Sequence, residues 1–206
     1  MEHIECDVLV VGSGAAGLRA AISAKQKGLD VCVISKQAPG KATCTMLSAG
    51  VFAGTEEGKS SDHHSKSTLQ AGRGINQKEL VNVLAEEGPM RLQELNKWGI
   101  NAAFRHGYLY CKGRAPYRGR EIVKCLLTKN EAIGTRFISG QMVAELKQPV
   151  GLPHYTFVMI ILSECWVTVM CWPMELALFF RILSLFSFIL WDWPNPGCLP
   201  FWCLRI

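Results

Sequence analysis

Gly12-Ser13-Gly14-Ala15-Ala16-Gly17 has the spacing G-x-G-x-x-G. Three glycines at that spacing arise by chance often enough that their flanks must decide what they do. After a buried strand and at the start of a helix, each has a separate task. The first permits a tight turn, the second lets the backbone approach a pyrophosphate, and the third lets helix and strand pack closely. The helix end adds unpaired N–H groups and a positive dipole end, worth about 0.3–1 kcal/mol per well-placed charge. The chemistry this implies is dinucleotide binding.

An Asp or Glu about twenty residues further on usually binds the adenosine ribose. Ser35 stands there, followed by Lys36. A serine hydroxyl can bond a ribose hydroxyl, more weakly than a carboxylate does, or can simply be a turn residue. Lys36 offers a charge to a 2′-phosphate, so this corner alone leaves a nicotinamide cofactor open. Other reactive residues have plain readings. His63-His64 is expected in a polar loop as solvated surface. Arg105, His106, Arg114, Arg118 and Arg120 suit either an anionic ligand or a solvated basic face. Cys44 is either a redox-active thiol or a small buried one.

The elements around the glycines give them their context. Val8-Leu9-Val10-Val11 is a continuous apolar run, as a strand buried on both faces requires. Leu18, Ala21, Ile22 and Lys25 follow the helical period over 15–27, and Gly28 supplies a stop. Val31-Cys32-Val33-Ile34 is a second buried strand, completing a βαβ unit. Residues 36–76 are rich in Gly, Ala, Ser and Thr and show no sustained period, which suits a ligand-wrapping loop. A helix is expected over 77–98, kinked or split at Gly88-Pro89. A hairpin strand at 107–111, a short helix over 121–130 and a strand over 135–146 follow.

Composition divides the 206 residues near Pro149. Residues 1–148 carry 34 of the 39 charges and every Lys. The remaining 58 hold five of the six Trp and six of the nine Phe. The first part has a net charge of +6 and no basic run interleaved with aromatics, which gives nucleic-acid binding little support. The nine Cys include no C-x-x-C pair and no His at zinc spacing, so no metal site is expected. The acidic start is no secretory signal, and free thiols in the cytoplasm are the default expectation.

The segment from Asp7 to Gly54 resembles the succinate dehydrogenase/fumarate reductase flavoprotein family, which includes L-aspartate oxidase and adenylylsulfate reductase. The resemblance rests on Asp-Val-Leu-Val-Val-Gly-Ser-Gly-Ala-Ala-Gly from Asp7, Val-Ile-Ser-Lys from Val33, and Leu-Ser-Ala-Gly-Val-Phe-Ala-Gly from Leu47. Looser matches are Leu-Asn-Lys-Trp-Gly-Ile from Leu95 and Phe-Ile-Ser-Gly-Gln-Met-Val-Ala-Glu-Leu from Phe137. The resemblance implies a Rossmann-like α/β FAD-binding domain over 1–148. It implies that Gly12, Ser13, Gly14, Ala15, Ala16 and Gly17 cradle the pyrophosphate of FAD. Ser35 then takes the ribose position with Lys36 beside it, and Ala42, Thr43, Cys44, Ala49 and Gly50 pass the isoalloxazine. Val143 would touch the adenine through its backbone. Covalent-flavin members place a His at the position matching Thr43 or its neighbour. No His stands between His3 and His63, so non-covalent FAD is expected. Ala49 stands where the family commonly has Gly, which puts a methyl group near the flavin.

The function so implied is an FAD-dependent oxidoreductase exchanging a hydride at flavin N5 with a small dicarboxylate-like substrate, with an electron-transfer partner. The family's capping domain, with its substrate-binding and proton-shuttling residues, has no counterpart here, so the expectation is a truncated form with no nameable catalytic residue. The alternative is a non-catalytic FAD-binding remnant or a membrane-attached flavin-binding module. Residues 149–206 form a hydrophobic tail outside the family pattern. It reads as out-of-frame translation, or, less favoured, as membrane segments at 155–173 and 176–193. Glu164 and Arg181 lie mid-segment, which argues against the membrane reading.

Overall fold

The computed structural model describes residues 4, 6–55, 60–115, 117–143, 158–161 and 167–170, the last two segments by their backbone alone. The expected βαβ unit is present: β1 (Val8–Val11), α1 (Ala15–Gln26) and β2 (Val31–Ser35). The two strands run parallel, with Val8 opposite Val31 and Val11 opposite Ile34. Side chains alternate across them. Leu9, Cys32 and Ile34 enter one apolar layer, while Val10, Val31 and Val33 enter another with Ala21 of α1. Both faces are buried, which is why these segments are apolar without a break.

β6 (Arg136–Ser139) lies parallel beside β2, β7 (Val158–Ile161) lies parallel beside β1, and β8 (Val167–Met170) pairs antiparallel with β7. The sheet order is therefore β6-β2-β1-β7-β8. β6 is shorter than the strand expected over 135–146: it stops before Gly140, whose positive φ of 76° turns the chain out of the sheet. Within 155–173 the described backbone is two strands. Among the described residues no helix is long and apolar enough to cross a membrane, and 176–193 lies outside them.

A second sheet has the order β3-β5-β4, all antiparallel: β3 (Val51–Ala53), β5 (Tyr108–Cys111) and β4 (Ala102–Arg105). β4 and β5 are joined by His106-Gly107, both at positive φ (50° and 78°), as a two-residue hairpin turn demands. Its inner face supplies Phe52, Leu109 and Cys111 to the main core. There they meet Leu18 and Ile22 of α1, Leu92 and Leu95 of α4 (Lys78–Lys97), and Ile122 and Leu126 of α5 (Arg120–Ala132). Each such Leu or Ile contributes about 1.5–3 kcal/mol by leaving water.

The structure departs from two sequence expectations. Gly88-Pro89 does not split the helix over 77–98: α4 is a single helix of 20 residues with Pro89 inside it. Proline removes the N–H that would bond the carbonyl four residues earlier. That carbonyl, of Ala85, instead accepts a 2.8 Å bond from the Thr55 hydroxyl, so a distant loop repairs the gap. Residues 36–76 are also not all loop. They contain α2 (Cys44–Leu47), β3 and the polar helix α3 (Ser61–Ala71). Ser60 caps α3 by accepting the Asp62 N–H, and Asp62 sits in its first turn. His63-His64 therefore belongs to a helix that packs on α4. His63 is exposed; burial of His64, with His63 beside it, pushes His64 below the usual histidine range.

Buried polar groups tie the helices together. Asn130 of α5 is fully buried. Its amide donates to the Leu18 and Leu126 carbonyls at 2.9 Å, and its oxygen accepts from the Thr135 hydroxyl at 2.9 Å. Arg19 of α1, only 4% exposed, pairs with Glu94 of α4 at 2.7 Å, donates to Ser23 and lies 5.5 Å over the Trp98 ring. Burial pulls this guanidinium below its ordinary value, while Glu94 pushes it back.

Four thiols, Cys6, Cys32, Cys111 and Cys125, are buried and free. Burial raises all four, Cys32 and Cys125 to about 11 and Cys111 to about 12. The native state therefore keeps protons that the unfolded chain releases from pH 9 upward. Stability is full below that pH and falls as pH rises toward the folded values. Under reductant, denaturant unfolding at about pH 8 and about pH 10 should differ by about 3–4 kcal/mol. A stability unchanged across that interval would contradict the burial of these thiols.

Candidate dinucleotide site

The chain leaves β1 with the Gly12 N–H bonded to the Ile34 carbonyl at 2.7 Å, and Gly12 turns at a φ of 106°. Gly14 is the N-cap of α1, without a side-chain cap, and no acidic residue occupies the first turn. The positive helix end is therefore not neutralised from within its own turn. The other two glycines differ in why they are glycines. A Cβ on Gly17 would stand 2.2 Å from the Gly12 carbonyl oxygen and 3.2 Å from Val10 Cγ1, so internal packing forbids it. Among the described residues, a Cβ on Gly14 would meet nothing closer than Thr45 Oγ1 at 3.6 Å and Thr43 Cβ at 4.0 Å, which is ordinary contact. The protein has room for a side chain at Gly14; its absence keeps backbone open to something outside the chain. That opening fits the diphosphate of a dinucleotide.

A loop from Gly40 to Gly50 closes over this turn. The Gly40 N–H donates to Ser13 Oγ at 2.8 Å, and the Ala15 N–H donates to Thr45 Oγ1 at 3.0 Å. Thr43, buried, donates to the Gly40 carbonyl at 3.0 Å and accepts the Met46 N–H at 3.2 Å, capping α2. The far end of the loop is held as well: Ser48 O accepts the Gly119 N–H at 3.1 Å and Gly50 O accepts the Cys111 N–H at 2.8 Å. Gly50 is buried, whereas Ala42, Cys44 and Ala49 are exposed, Ala42 at a φ of 53°.

Ser35 ends β2 opposite Ser139 of β6 and is 7% exposed. Its hydroxyl donates to the Gln37 carbonyl at 2.8 Å, which leaves its lone pairs to accept a further bond. Lys36 beside it is exposed. The Gln141 N–H bonds Ser35 O at 3.2 Å, which draws the chain after β6 alongside. Val143, half-buried, packs on the layer of Leu9, Cys32 and Ile34. The structure thus groups the glycine turn with the 40–50 loop, and Ser35 with the segment leading to Val143.

Arg105, His106, Arg114, Arg118 and Arg120 are all exposed, and Arg120 lies 5.3 Å over the Tyr117 ring. Among the described residues no group of three or more His, Cys, Asp or Glu could hold a metal ion. Thr45 was not anticipated; a threonine in a hydroxyl-rich loop carries no spacing signal that marks it. Cys44 is exposed where the other four described thiols are buried. Alkylation followed by peptide mapping should label Cys44 at least about tenfold faster than those four. Equal labelling would contradict the loop's placement.

A sheet whose strands β6, β2, β1 and β7 run parallel, with an open glycine turn between β1 and the N-terminus of α1, defines a Rossmann-like dinucleotide-binding domain. The chain belongs to the FAD binding domain family, whose model matches residues 7–149, and the relatives it is similar to include fumarate reductase flavoproteins and L-aspartate oxidases. It is 39% identical over 102 residues to a fumarate reductase (CoM/CoB) of Methanothermobacter marburgensis, covering 48% of this chain and 19% of that one. It is 31% identical over 158 residues to L-aspartate oxidase of Streptomyces coelicolor, covering 69% of this chain and 27% of that one. The fold is similar to Mycobacterium smegmatis Sdh1 in complex with UQ1, with a TM-score of 0.61 and 26% identity over 75% of this chain and 30% of that one. The chain spans about a fifth and just over a quarter of the length of these two curated relatives.

Proposed function

We propose that residues 1–148 hold FAD without a covalent bond and form the flavin-carrying part of an oxidoreductase of the fumarate reductase/succinate dehydrogenase type. The open side of Gly14, facing a pinned loop, carries this reading. Bound there, FAD supplies hydride exchange at its N5 with a small dicarboxylate-like substrate. The chain's own residues bind and orient. The turn Gly12, Ser13, Gly14, Ala15, Ala16 and Gly17 cradles the diphosphate, Ser35 faces the ribose with Lys36 beside it, and the Val143 backbone the adenine. Ala42, Thr43, Cys44, Ala49 and Gly50 flank the isoalloxazine. Thr43 bears no imidazole to bond the flavin, and both faces of its hydroxyl are already engaged by Gly40 and Met46.

An electron-transfer partner and a cytoplasmic setting, in which the described thiols stay reduced, complete the proposal. Non-catalytic FAD binding is the competing reading, favoured by the exposure of Arg105, Arg114, Arg118 and Arg120, none of which is buried as a substrate clamp would be. Reconstitution with FAD, acid precipitation, and anaerobic mixing with succinate or fumarate separate these. Flavin released by acid and reduced by succinate, or reoxidised by fumarate, is the expected result. Flavin that stays with the precipitate contradicts non-covalent binding; released flavin inert to both dicarboxylates leaves the non-catalytic reading.

A further inference from the structure

We propose that Thr45 is a positioning residue of the cofactor cradle, which sets FAD affinity by pinning the 40–50 loop to the first turn of α1. This rests on the FAD reading above. Thr45 is 5% exposed, and its Oγ1 accepts the Ala15 N–H at 3.0 Å. The same oxygen is the nearest atom to the open side of Gly14, 3.6 Å from where a Cβ would stand. The hydroxyl thus borders the gap offered to the diphosphate without filling it.

The geometry around it leaves the loop little freedom. A Cβ on Gly119 would stand 1.8 Å from the Thr45 carbonyl oxygen, so the start of α5 abuts the loop from behind. From the front, Ser13 of the glycine turn accepts the Gly40 N–H at 2.8 Å. Each segment therefore lends one side-chain oxygen to an amide of the other. First-turn amides have no partner within their own helix. A neutral oxygen on Ala15 satisfies one of them and leaves the positive helix end available to an anion. A loop already held need not be ordered when the ligand arrives, and affinity rises accordingly. Without Oγ1, the Ala15 amide is uncovered and the loop loses its front attachment at α2.

The test uses the full chain as wild type, Thr45→Val and Thr45→Ser. FAD is titrated at a temperature where all are folded, and amide exchange is followed at Ala15 without cofactor. Thr45→Val should bind FAD about tenfold more weakly and exchange faster at Ala15, while Thr45→Ser stays within about threefold of wild type. Asn130→Ala, destabilised through α5, should keep the wild-type dissociation constant; a purely structural role for Thr45 predicts the same of Thr45→Val. Should Thr45→Val fail to fold, Ser13→Ala reports instead, with affinity reduced to a similar degree. Wild-type affinity in Thr45→Val, or in Ser13→Ala where that variant reports, overturns the proposal, as does Thr45→Ser as weak as Thr45→Val. A wild-type chain that takes up no FAD overturns the FAD reading itself, and is seen in the first titration.

Discussion

Gly14→Ala should weaken FAD binding by about a hundredfold or more while leaving the domain folded. Gly14 has φ −75° and ψ −179°, extended backbone open to any L-residue, and among the described residues a Cβ there meets only ordinary contacts. Alanine gains by restricting the unfolded chain and loses as an N-cap, so the net stability change should stay within about 1 kcal/mol. The methyl group would nevertheless stand where the diphosphate must approach the backbone. Losing two charge-assisted bonds, at roughly 1.5–3 kcal/mol each, accounts for the loss of affinity. Gly17→Val is the contrasting variant. Its Cβ would stand 2.2 Å from the Gly12 carbonyl oxygen, which is backbone and cannot swing aside. It should destabilise by about 3 kcal/mol or more, beyond the usual range for overpacking. Circular dichroism, denaturant unfolding and an FAD titration on both variants separate the two roles. If Gly14→Ala binds as wild type, or if both variants lose stability alike, the distinction is wrong.

Glu94→Ala should cost about 3 kcal/mol of stability, at the lower end for breaking a buried ion pair because Glu94 is 27% exposed. Arg19 reaches Glu94 from inside the core, and its side chain is 5% exposed. Removing the carboxylate leaves a guanidinium with Ser23 and the Trp98 ring, neither of which carries a full negative charge. Arg91 would lose its 3.0 Å contact to the same carboxylate, keeping Glu87 at 3.1 Å. Arg19→Met should cost far less, because an apolar side chain of similar length needs no partner. In Arg19→Met/Glu94→Ala the loss should approach that of Arg19→Met alone, giving a strongly non-additive cycle. FAD affinity, measured below the transition, should not change, since the pair lies between α1 and α4 and not at the cradle. Additive single losses in denaturant unfolding would contradict this account.

The parts legible in the sequence were those whose signal is local. Two unbroken apolar runs around a glycine turn specify a strand, a helix and a parallel strand, because each residue's partner layer follows from alternation. The 3.6 period carried α4 through Gly88-Pro89, yet the break expected there does not occur. Its repair comes from Thr55, 30 residues away, and no local pattern announces a hydroxyl in reach of the Ala85 carbonyl. α3 was missed because it is nearly devoid of apolar residues; its capping serine and lack of Gly or Pro were the only signals, and these are weaker than periodicity. The site divides the same way. Gly12, Gly14 and Gly17 are marked by spacing, while Thr45 is marked only by a contact across 30 residues of chain.

The measurement that bears most directly on the central claim is an equilibrium titration of FAD onto the wild-type full chain, with Gly14→Ala in parallel. The account predicts saturable binding of one FAD per chain, and binding by Gly14→Ala weaker by about a hundredfold or more. No saturable uptake by the wild type, or a Gly14→Ala curve that overlies it, would contradict the placement of the cofactor at the first turn of α1.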